Sequence, residues 1–206
     1  MKYIRTYHLP WSEGSTSDDK TLPNTNHFIG KRVVSTLKMD GENTGMSRDH
    51  IHARSLDSKD HPSRHWVKGL WGSIRYDIPE GMKIFGENMY AKHSIEYTNL
   101  DTYFYVFGIL EGDIFLSWDS VKEWCELLNL KHVPVLYEGI YDEELIKSLY
   151  KDNYDGNVME GYVIRVCDEF KYEDSSKSIA KFVRKNHVQT DTHWMFDKIV
   201  PNKLKE

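Results

Sequence analysis

The chain has 206 residues, of which 39% are hydrophobic and 13% aromatic, enough apolar surface to build a core and to exclude global disorder. No run of about 18 apolar residues occurs, so no membrane-spanning helix is expected, and the start Met1-Lys-Tyr-Ile-Arg5 meets charge too early to read as the apolar stretch of a secretory signal, so none is expected. Only two cysteines occur, Cys125 and Cys167, without motif spacing, so the expectation is a soluble cytoplasmic protein with neither a disulfide framework nor a cysteine-rich zinc module. The net charge of −5 is unevenly spread: Lys31 to Arg75 carries +4, Tyr76 to Phe170 carries −12, and Lys171 to Glu206 carries +3. Two separated basic stretches can converge on a polyanion or a nucleotide phosphate, or can be solvated faces of unlike sign. The pattern permits a nucleic-acid partner without requiring one.

Residues 1–30 are rich in Pro, Ser, Asn, Asp and Gly and read as irregular structure wrapped on a body. The β-branched run Arg32 to Leu37 predicts a strand, with Gly41 allowing the turn that follows Lys38-Met-Asp. Residues 43–70 are polar and rich in His and Arg, with one short strand expected around Ile51 to Arg54. Further strands are predicted at Lys83 to Glu87 and, most strongly, at the aromatic run Thr102 to Leu110. Val121, Trp124, Cys125 and Leu128 have helical spacing, and Ser120 with Glu123 has the spacing of a capping box. Leu145, Ile146 and Leu149 repeat the helical pattern behind Asp142, a candidate N-cap. Gly161 to Val166 and Ile179 to Arg184 close the series as strands. Without βαβ alternation, the expected class is a strand-rich α+β domain, one unit over residues 1–206.

Four segments place charged side chains at strand ends: Lys38-Met-Asp-Gly-Glu-Asn43, Phe85-Gly-Glu87, Glu160-Gly-Tyr-Val-Ile-Arg165 and Lys181-Phe-Val-Arg-Lys185. A partly desolvated lysine flanked by cations can shed its proton and act as a nucleophile. Carboxylates can hold a divalent metal beside it, and further cations, here Lys181 and Lys185, can neutralise charge developing at phosphorus.

Taken together and in this order, the four segments resemble the covalent nucleotidyltransferases, the superfamily of ATP-dependent polynucleotide ligases and mRNA capping enzymes. Lys38-Met-Asp-Gly41 resembles the nucleotidyl-lysine motif, Ile84-Phe-Gly-Glu87 the third motif, Thr102 to Phe107 the aromatic strand after it, Glu160-Gly161 the fourth and Lys181 the fifth. The flanking text, notably Gly86 to Ile95 and Lys181 to Trp194, is most similar to RNA ligase family proteins, including phage-encoded ones.

The resemblance implies an adenylyltransferase fold of ATP-grasp-like antiparallel sheets flanked by helices. It also implies roles: Lys38 attacks the α-phosphate of ATP and carries AMP, while Asp40, Gly41 and Asn43 shape the site beside it. Arg54 touches the ribose or a 5′-phosphate, Glu87 accepts a hydrogen bond from a ribose hydroxyl and Phe107 stacks on adenine. Glu160 holds the metal, Mg²⁺ or Mn²⁺, and Lys181 contacts the α-phosphate. The implied activity is an ATP-dependent RNA ligase acting on RNA with 5′-phosphate and 3′-hydroxyl ends.

Two positions depart from the family pattern. Position 183 is Val where the fifth motif often has a second lysine; because positions 181, 183 and 185 share a strand face, Lys185 is expected to replace it. Leu37 stands where RNA ligases often carry a Glu that helps to read adenine. No separate C-terminal domain is expected within 206 residues, so either this domain suffices alone or its grip on nucleic acid is weak and borrowed from a partner protein. Two other readings stay open: a DNA ligase of the same superfamily, and a nucleotide- or RNA-binding module that keeps the fold without the chemistry.

Outside the motifs, His50, His52, His61 and His65 raise the question of zinc, but Pro62 and the polar context argue against a helix that would pair His61 with His65. A loop touching RNA phosphate through Arg48, Arg64, His65 and Lys68 is favoured over zinc there, beside the plain reading of a solvated polar stretch. Cys125, Trp124, Tyr103 and Tyr105 read as packing residues. His8-Leu-Pro-Trp11 and Ser15-Thr-Ser-Asp-Asp19 read as a lid or surface turn with no assigned chemistry.

Overall fold

The computed structural model describes residues 1–187 and 198–206, so the end of the segment read from Lys181 to Trp194 lies outside the described residues. In chain order its strands are β1 (Tyr7–His8), β2 (Arg32–Leu37), β3 (Glu42–Met46), β4 (Ile51–Ala53), β5 (Met82–Asn88), β6 (Phe104–Glu111), β7 (Ile114–Phe115), β8 (Lys131–His132), β9 (Val135–Ile140), β10 (Asn153–Tyr154), β11 (Asn157–Val158), β12 (Gly161–Val166), β13 (Phe170–Lys171) and β14 (Ile179–Val183). The helices are α1 (His65–Ile74), α2 (Trp118–Leu127) and α3 (Glu143–Lys147). The architecture is mixed α+β with mostly antiparallel sheets, as the sequence predicts.

One sheet runs β1-β14-β12-β2-β9 and the other β13-β7-β6-β5-β3-β4, with β8 alongside β6. In β2, every residue from Val33 to Leu37 is buried, because the strand is covered on both faces and flanked by β12 and β9. A single cluster of buried apolar residues joins the sheets, from Val33, Val34, Tyr162 and Ile164 to Ile84, Phe104 and Val106. Strands β5 and β6 pair with an irregularity between Phe85 and Gly86, two residues from the end of the pairing that carries Glu87.

The helices correct the sequence reading in two places. The N-cap of α2 is Ser117, whose hydroxyl accepts from the Ser120 N–H at 3.2 Å, so the helix starts one turn before the Ser120 capping box implied. Asp142 does cap α3, accepting from Leu145 N–H at 3.0 Å. The polar stretch after Ile51 holds a helix that the sequence reading missed. Pro62 opens a short 3₁₀ turn capped by His61, and α1 follows directly, burying Val67 and Ile74. Proline favours such a first turn, where its missing N–H is no loss. Gly69 and Gly72 lower the local helix propensity, and packing of Trp66, Leu70 and Trp71 on the core overrides it. Among the described residues, no helix is long and apolar enough to cross a membrane.

Candidate active site

Lys38 follows the last buried residue of β2, and its N–H donates to the Gly161 carbonyl at 3.0 Å, which carries it past the sheet into the cleft. Its Nζ donates to Glu160 Oε2 at 2.7 Å. Glu160 is only 6% exposed and its carbonyl accepts from Arg184 N–H, so the ends of β12 and β14 fix the carboxylate. The glycine behind it is required by close approach: a Cβ on Gly161 would stand 2.0 Å from the Phe182 carbonyl oxygen. Gly41 serves the same purpose rather than the turn expected of it. Its φ is not positive, but a Cβ there would meet Asn88 O at 2.5 Å, and its N–H reaches Glu87 Oε1 at 3.2 Å.

Strand pairing then brings the carboxylates and amide together. Asn43 on β3 lies opposite Glu87 on β5 in the antiparallel register. The Oδ1 of Asn43 is buried and, among the described residues, has no hydrogen-bond partner, an acceptor that a bound hydroxyl would satisfy. Asp40 turns away from the cleft: its Oδ2 accepts from both Ser94 and Ile95 N–H at 2.8 Å, and its own N–H donates to the Tyr97 hydroxyl. From the other side Asn202 Oδ1 accepts from Tyr97 N–H at 2.9 Å, so the loop after β5 is clamped between the Lys38–Gly41 segment and the C-terminal tail.

Burial by itself would lower the Lys38 ammonium, yet Glu160, Glu87 and Asp40 outweigh it and hold the group above its ordinary value. The Glu87 carboxyl moves the other way from a normal acid, pushed up to about 8 by burial and by its neighbours Glu160 and Asp40, against the pull of Lys38 and the Gly41 N–H. Lys181 is lowered, first by burial and then by Lys38, with Asp19 opposing.

These groups open onto a cleft of about 1120 Å³, lined among others by Lys38, Gly41, Asn43, Arg54, Glu87, Phe107 and Lys181. Phe107 is met by Tyr3 edge-on, ring centroids 4.8 Å apart, which holds it upright in the wall. Lys185 departs from expectation. Strand β14 ends at Val183, so the alternation that was to bring Lys185 beside Lys181 stops before it, and Lys185 sits exposed in a turn outside the cleft lining.

Sequence reasoning missed several cleft residues. Tyr3, Arg5 and Asp19 come from the segment read as irregular wrapping, and Arg165 lies at the end of the fourth motif. Arg165 is 4% exposed and donates to the carbonyls of Val166 and Leu116. His187, the last residue before position 188, has its imidazole lowered by burial, with Glu160 opposing and Lys38 and Lys181 adding to the effect. A signal existed only for Arg165, an arginine in an otherwise apolar strand.

The stretch expected to touch RNA phosphate is largely committed elsewhere. Arg64 forms a bidentate pair with Glu42, at 2.7 and 2.6 Å, each side chain 10% exposed. Lys68 and His65 both face Asp60, and Arg48 lies over the Tyr76 ring. His65 begins α1, contrary to the expectation of no helix, and His61 bonds Ser63 through Nδ1. Among the described residues, no group of three or more His, Cys, Asp or Glu stands together to hold a metal. Cys125 and Tyr105 are buried in the core, and Tyr103 and Trp124 pack against it.

Comparison with known proteins agrees with this geometry. The chain is similar in fold to Naegleria gruberi RNA ligase in several solved forms. For a mutant with ATP and Mn, the TM-score is 0.54 at 19% identity, over 89% of this chain and 61% of that one. For a mutant with AMP and Mn it is 0.55 at 19% identity, over 87% and 60%. The chain thus spans about three-fifths of the length of these structures. No curated protein matches it. The family model described as RNA ligase matches residues 31–183, a span that begins just before β2, ends with β14 and contains Lys38, Glu87, Glu160 and Lys181; the chain belongs to the RNA ligase family.

Proposed function

We propose that the protein is an ATP-dependent RNA ligase, residues 1–206 forming one adenylyltransferase unit, with Lys38 as the nucleophile. The observation that carries this reading is Lys38 Nζ in the cleft, 2.7 Å from the buried Glu160 carboxylate, with Lys181 in the same wall system.

In the first step the Lys38 amine attacks the α-phosphate of ATP; an N–P bond forms and the P–O bond to pyrophosphate breaks. Lys38 is held as an ammonium in the free protein, so its proton must leave first, and Glu160 Oε2 is the acceptor it already touches. Lys181 meets the charge developing on the α-phosphate, a role for which a fixed cation in a partly dry cleft is effective. Phe107 offers its face to adenine, and Glu87 and the unpartnered Asn43 Oδ1 receive ribose hydroxyls. Arg54, exposed at the rim, is placed for ribose or the 5′-phosphate of RNA. AMP then passes to that 5′-phosphate, and an RNA 3′-hydroxyl displaces it to close the phosphodiester.

The residues present fit a divalent cation that arrives with the nucleotide: a magnesium-type ion is commonly held by one or two carboxylates plus substrate phosphates, and Glu160 supplies the carboxylate. Bound there, Mg²⁺ or Mn²⁺ would neutralise phosphate charge and compete with the Lys38 ammonium for Glu160. The Naegleria structures with ATP and Mn support this choice of nucleotide and metal class.

The test is incubation with α-labelled ATP and either metal, followed by a denaturing gel and mass analysis. Wild type should carry one covalent AMP that Lys38→Ala lacks. Folded, unadenylylated protein that forms no adduct with either metal would overturn the reading. Sealing of 5′-phosphorylated RNA but not DNA nicks would then fix the strand preference.

A further inference from the structure

Residues 1–22 lie outside the span matched by the family model, yet they join the two sheets that line the cleft. At one end, β1 adds to the first sheet beside β14, parallel to it, with His8 in register with Lys181. Leu9 N–H donates to the Lys181 carbonyl at 2.8 Å. His8 is fixed there, its Nδ1 2.7 Å from Ser12 Oγ and its Nε2 3.4 Å from Asp19 Oδ2. At the other end, the chain lies on the second sheet. Lys83 Nζ of β5 donates to the Met1 carbonyl at 2.9 Å, and the Tyr172 hydroxyl donates to the Lys2 carbonyl at 3.0 Å. Between these anchors every residue from 2 to 6 lines the cleft. The segment is a strap from sheet to sheet.

Tyr3 is where the strap engages the second sheet most closely. Its ring meets Phe107 of β6 edge-on, with centroids 4.8 Å apart and planes at 66°, Phe85 of β5 at 5.2 Å and Phe115 of β7 at 5.8 Å. Phe85 and Phe115 are fully buried and therefore fixed neighbours, whereas Phe107 is half-buried and faces the cleft. Among the described residues, Tyr3 supplies the only aromatic ring in contact with Phe107. A ring with one side open to a cleft can turn about its side-chain torsions unless a neighbour prefers one orientation. An edge-to-face contact supplies that preference, because the positive edge of one ring favours the negative face of the other. Two buried rings thus hold Tyr3, and Tyr3 in turn holds the ring that borders the cleft.

We propose that Tyr3, clamped on Phe85 and Phe115, is a positioning residue that fixes the plane of Phe107 for stacking on the nucleotide base. The inference rests on the reading of Phe107 as the base stack and makes the N-terminal strap part of the base site. Tyr3 acts through Phe107, and it acts through its ring; the hydroxyl is not required.

The experiment is equilibrium binding of AMP, and separately of inorganic pyrophosphate with Mg²⁺, measured by calorimetry. The proteins are wild type, Tyr3→Phe, Tyr3→Leu, Phe107→Leu and the double variant Tyr3→Leu/Phe107→Leu, each verified as unadenylylated by mass and as folded by thermal melting. AMP has no pyrophosphate to release, so binding is read without chemistry, and pyrophosphate probes the phosphate end of the cleft without a base. Tyr3→Phe keeps the ring and should bind AMP as wild type does. Tyr3→Leu keeps apolar volume without a ring edge. It should bind AMP on the order of fivefold more weakly and pyrophosphate unchanged. Phe107→Leu should lose on the order of tenfold for AMP. The double variant should be no weaker than Phe107→Leu alone, since a residue acting only through Phe107 has nothing left to act on. Should Tyr3→Leu not fold, Tyr3→Met makes the same comparison with a more adaptable side chain.

Wild-type affinity for AMP in the folded Tyr3 variant, equal losses for AMP and pyrophosphate, or losses that multiply in the double variant would each overturn the inference while leaving the ligase reading intact. Wild-type AMP affinity in Phe107→Leu would overturn the base-stack reading, and this inference with it. Absence of lysyl-AMP in wild type given ATP and metal would overturn the ligase reading, and the AMP comparison would still decide the role of Tyr3.

Discussion

Two lysines share one cleft and are tuned in opposite directions. Lys38 stands against the acidic wall, where Glu160, Glu87 and Asp40 keep its ammonium above the ordinary value in spite of burial. Lys181 stands against the basic wall, where burial, Lys38 and Arg54 pull it down and Asp19 opposes them. The residue type is the same and both side chains are partly exposed to the cleft; the neighbours differ because different strand ends deliver them. Antiparallel pairing brings Glu87 and Asn43 opposite each other and sets Glu160 at the start of β12, while the β14 edge receives Arg54 and the N-terminal segment. On the proposed reading, one wall holds the proton of Lys38 until a ligand arrives and the other meets negative charge.

The sharpest way to break that contrast is at the acidic wall. Glu160→Gln keeps the shape of the side chain but removes the proton acceptor at 2.7 Å, and lysyl-AMP formation should fall on the order of 10³-fold in a single-turnover assay with labelled ATP. A loss under tenfold would mean that Lys38 delivers its proton elsewhere. Lys181→Ala should cost on the order of 10²-fold in the same assay, the scale of one oriented donor at a developing charge.

A third change tests an ion pair within the cleft lining itself. Breaking the buried Arg64–Glu42 pair by Arg64→Ala leaves an uncompensated carboxylate and should cost about 3–5 kcal/mol of stability, seen as a drop of about 10 °C in melting temperature. If the melting temperature held and only salt-dependent RNA affinity fell, Arg64 would be a phosphate contact after all. Phe107→Ala, which also loses the edge-on Tyr3 contact, should lower melting less than Arg64→Ala and raise the ATP concentration for half-maximal adenylylation about tenfold, the scale of one lost base stack.

How much of this could be read beforehand differs between the same two walls. Lys38, Asn43, Glu87 and Glu160 were legible because each lies within a few residues of a predicted strand, and strands with strong β-branched or aromatic patterns hold their register. Asp40 was legible as a member of the motif, but its carboxylate is spent on Ser94 and Ile95, contacts 54 and 55 residues away that no spacing reveals. Lys185 was misplaced because alternation was extended past the end of β14. Helix α1 was hidden by two glycines and a proline whose local cost is overruled by packing. The N-terminal segment was illegible for a different reason: its two-residue strand gains its place from the edge of β14, and neither partner's sequence announces that pairing.

The smallest expected effect tests whether that segment is as firmly built as the wall it completes. His8 is 2% exposed and its imidazole is lowered to about 4, first by burial and then by Lys181, with Asp19 opposing. In the unfolded chain the same group titrates near 6.5. Between these values the unfolded state binds the extra proton, so the contribution of a neutral buried His8 is whole above pH 6.5 and is lost as the pH falls toward 4. His8→Gln cannot take up that proton. Its stability should be lower than wild type at pH 7, through the lost Ser12 and Asp19 contacts, yet fall less steeply on acidification. The gap between the two should narrow by on the order of 2 kcal/mol from pH 7 to pH 4. Urea midpoints at half-unit pH steps measure it, and histidines that do not act on His8 cancel in the difference. Parallel curves would mean that His8 is protonated in the fold at no cost.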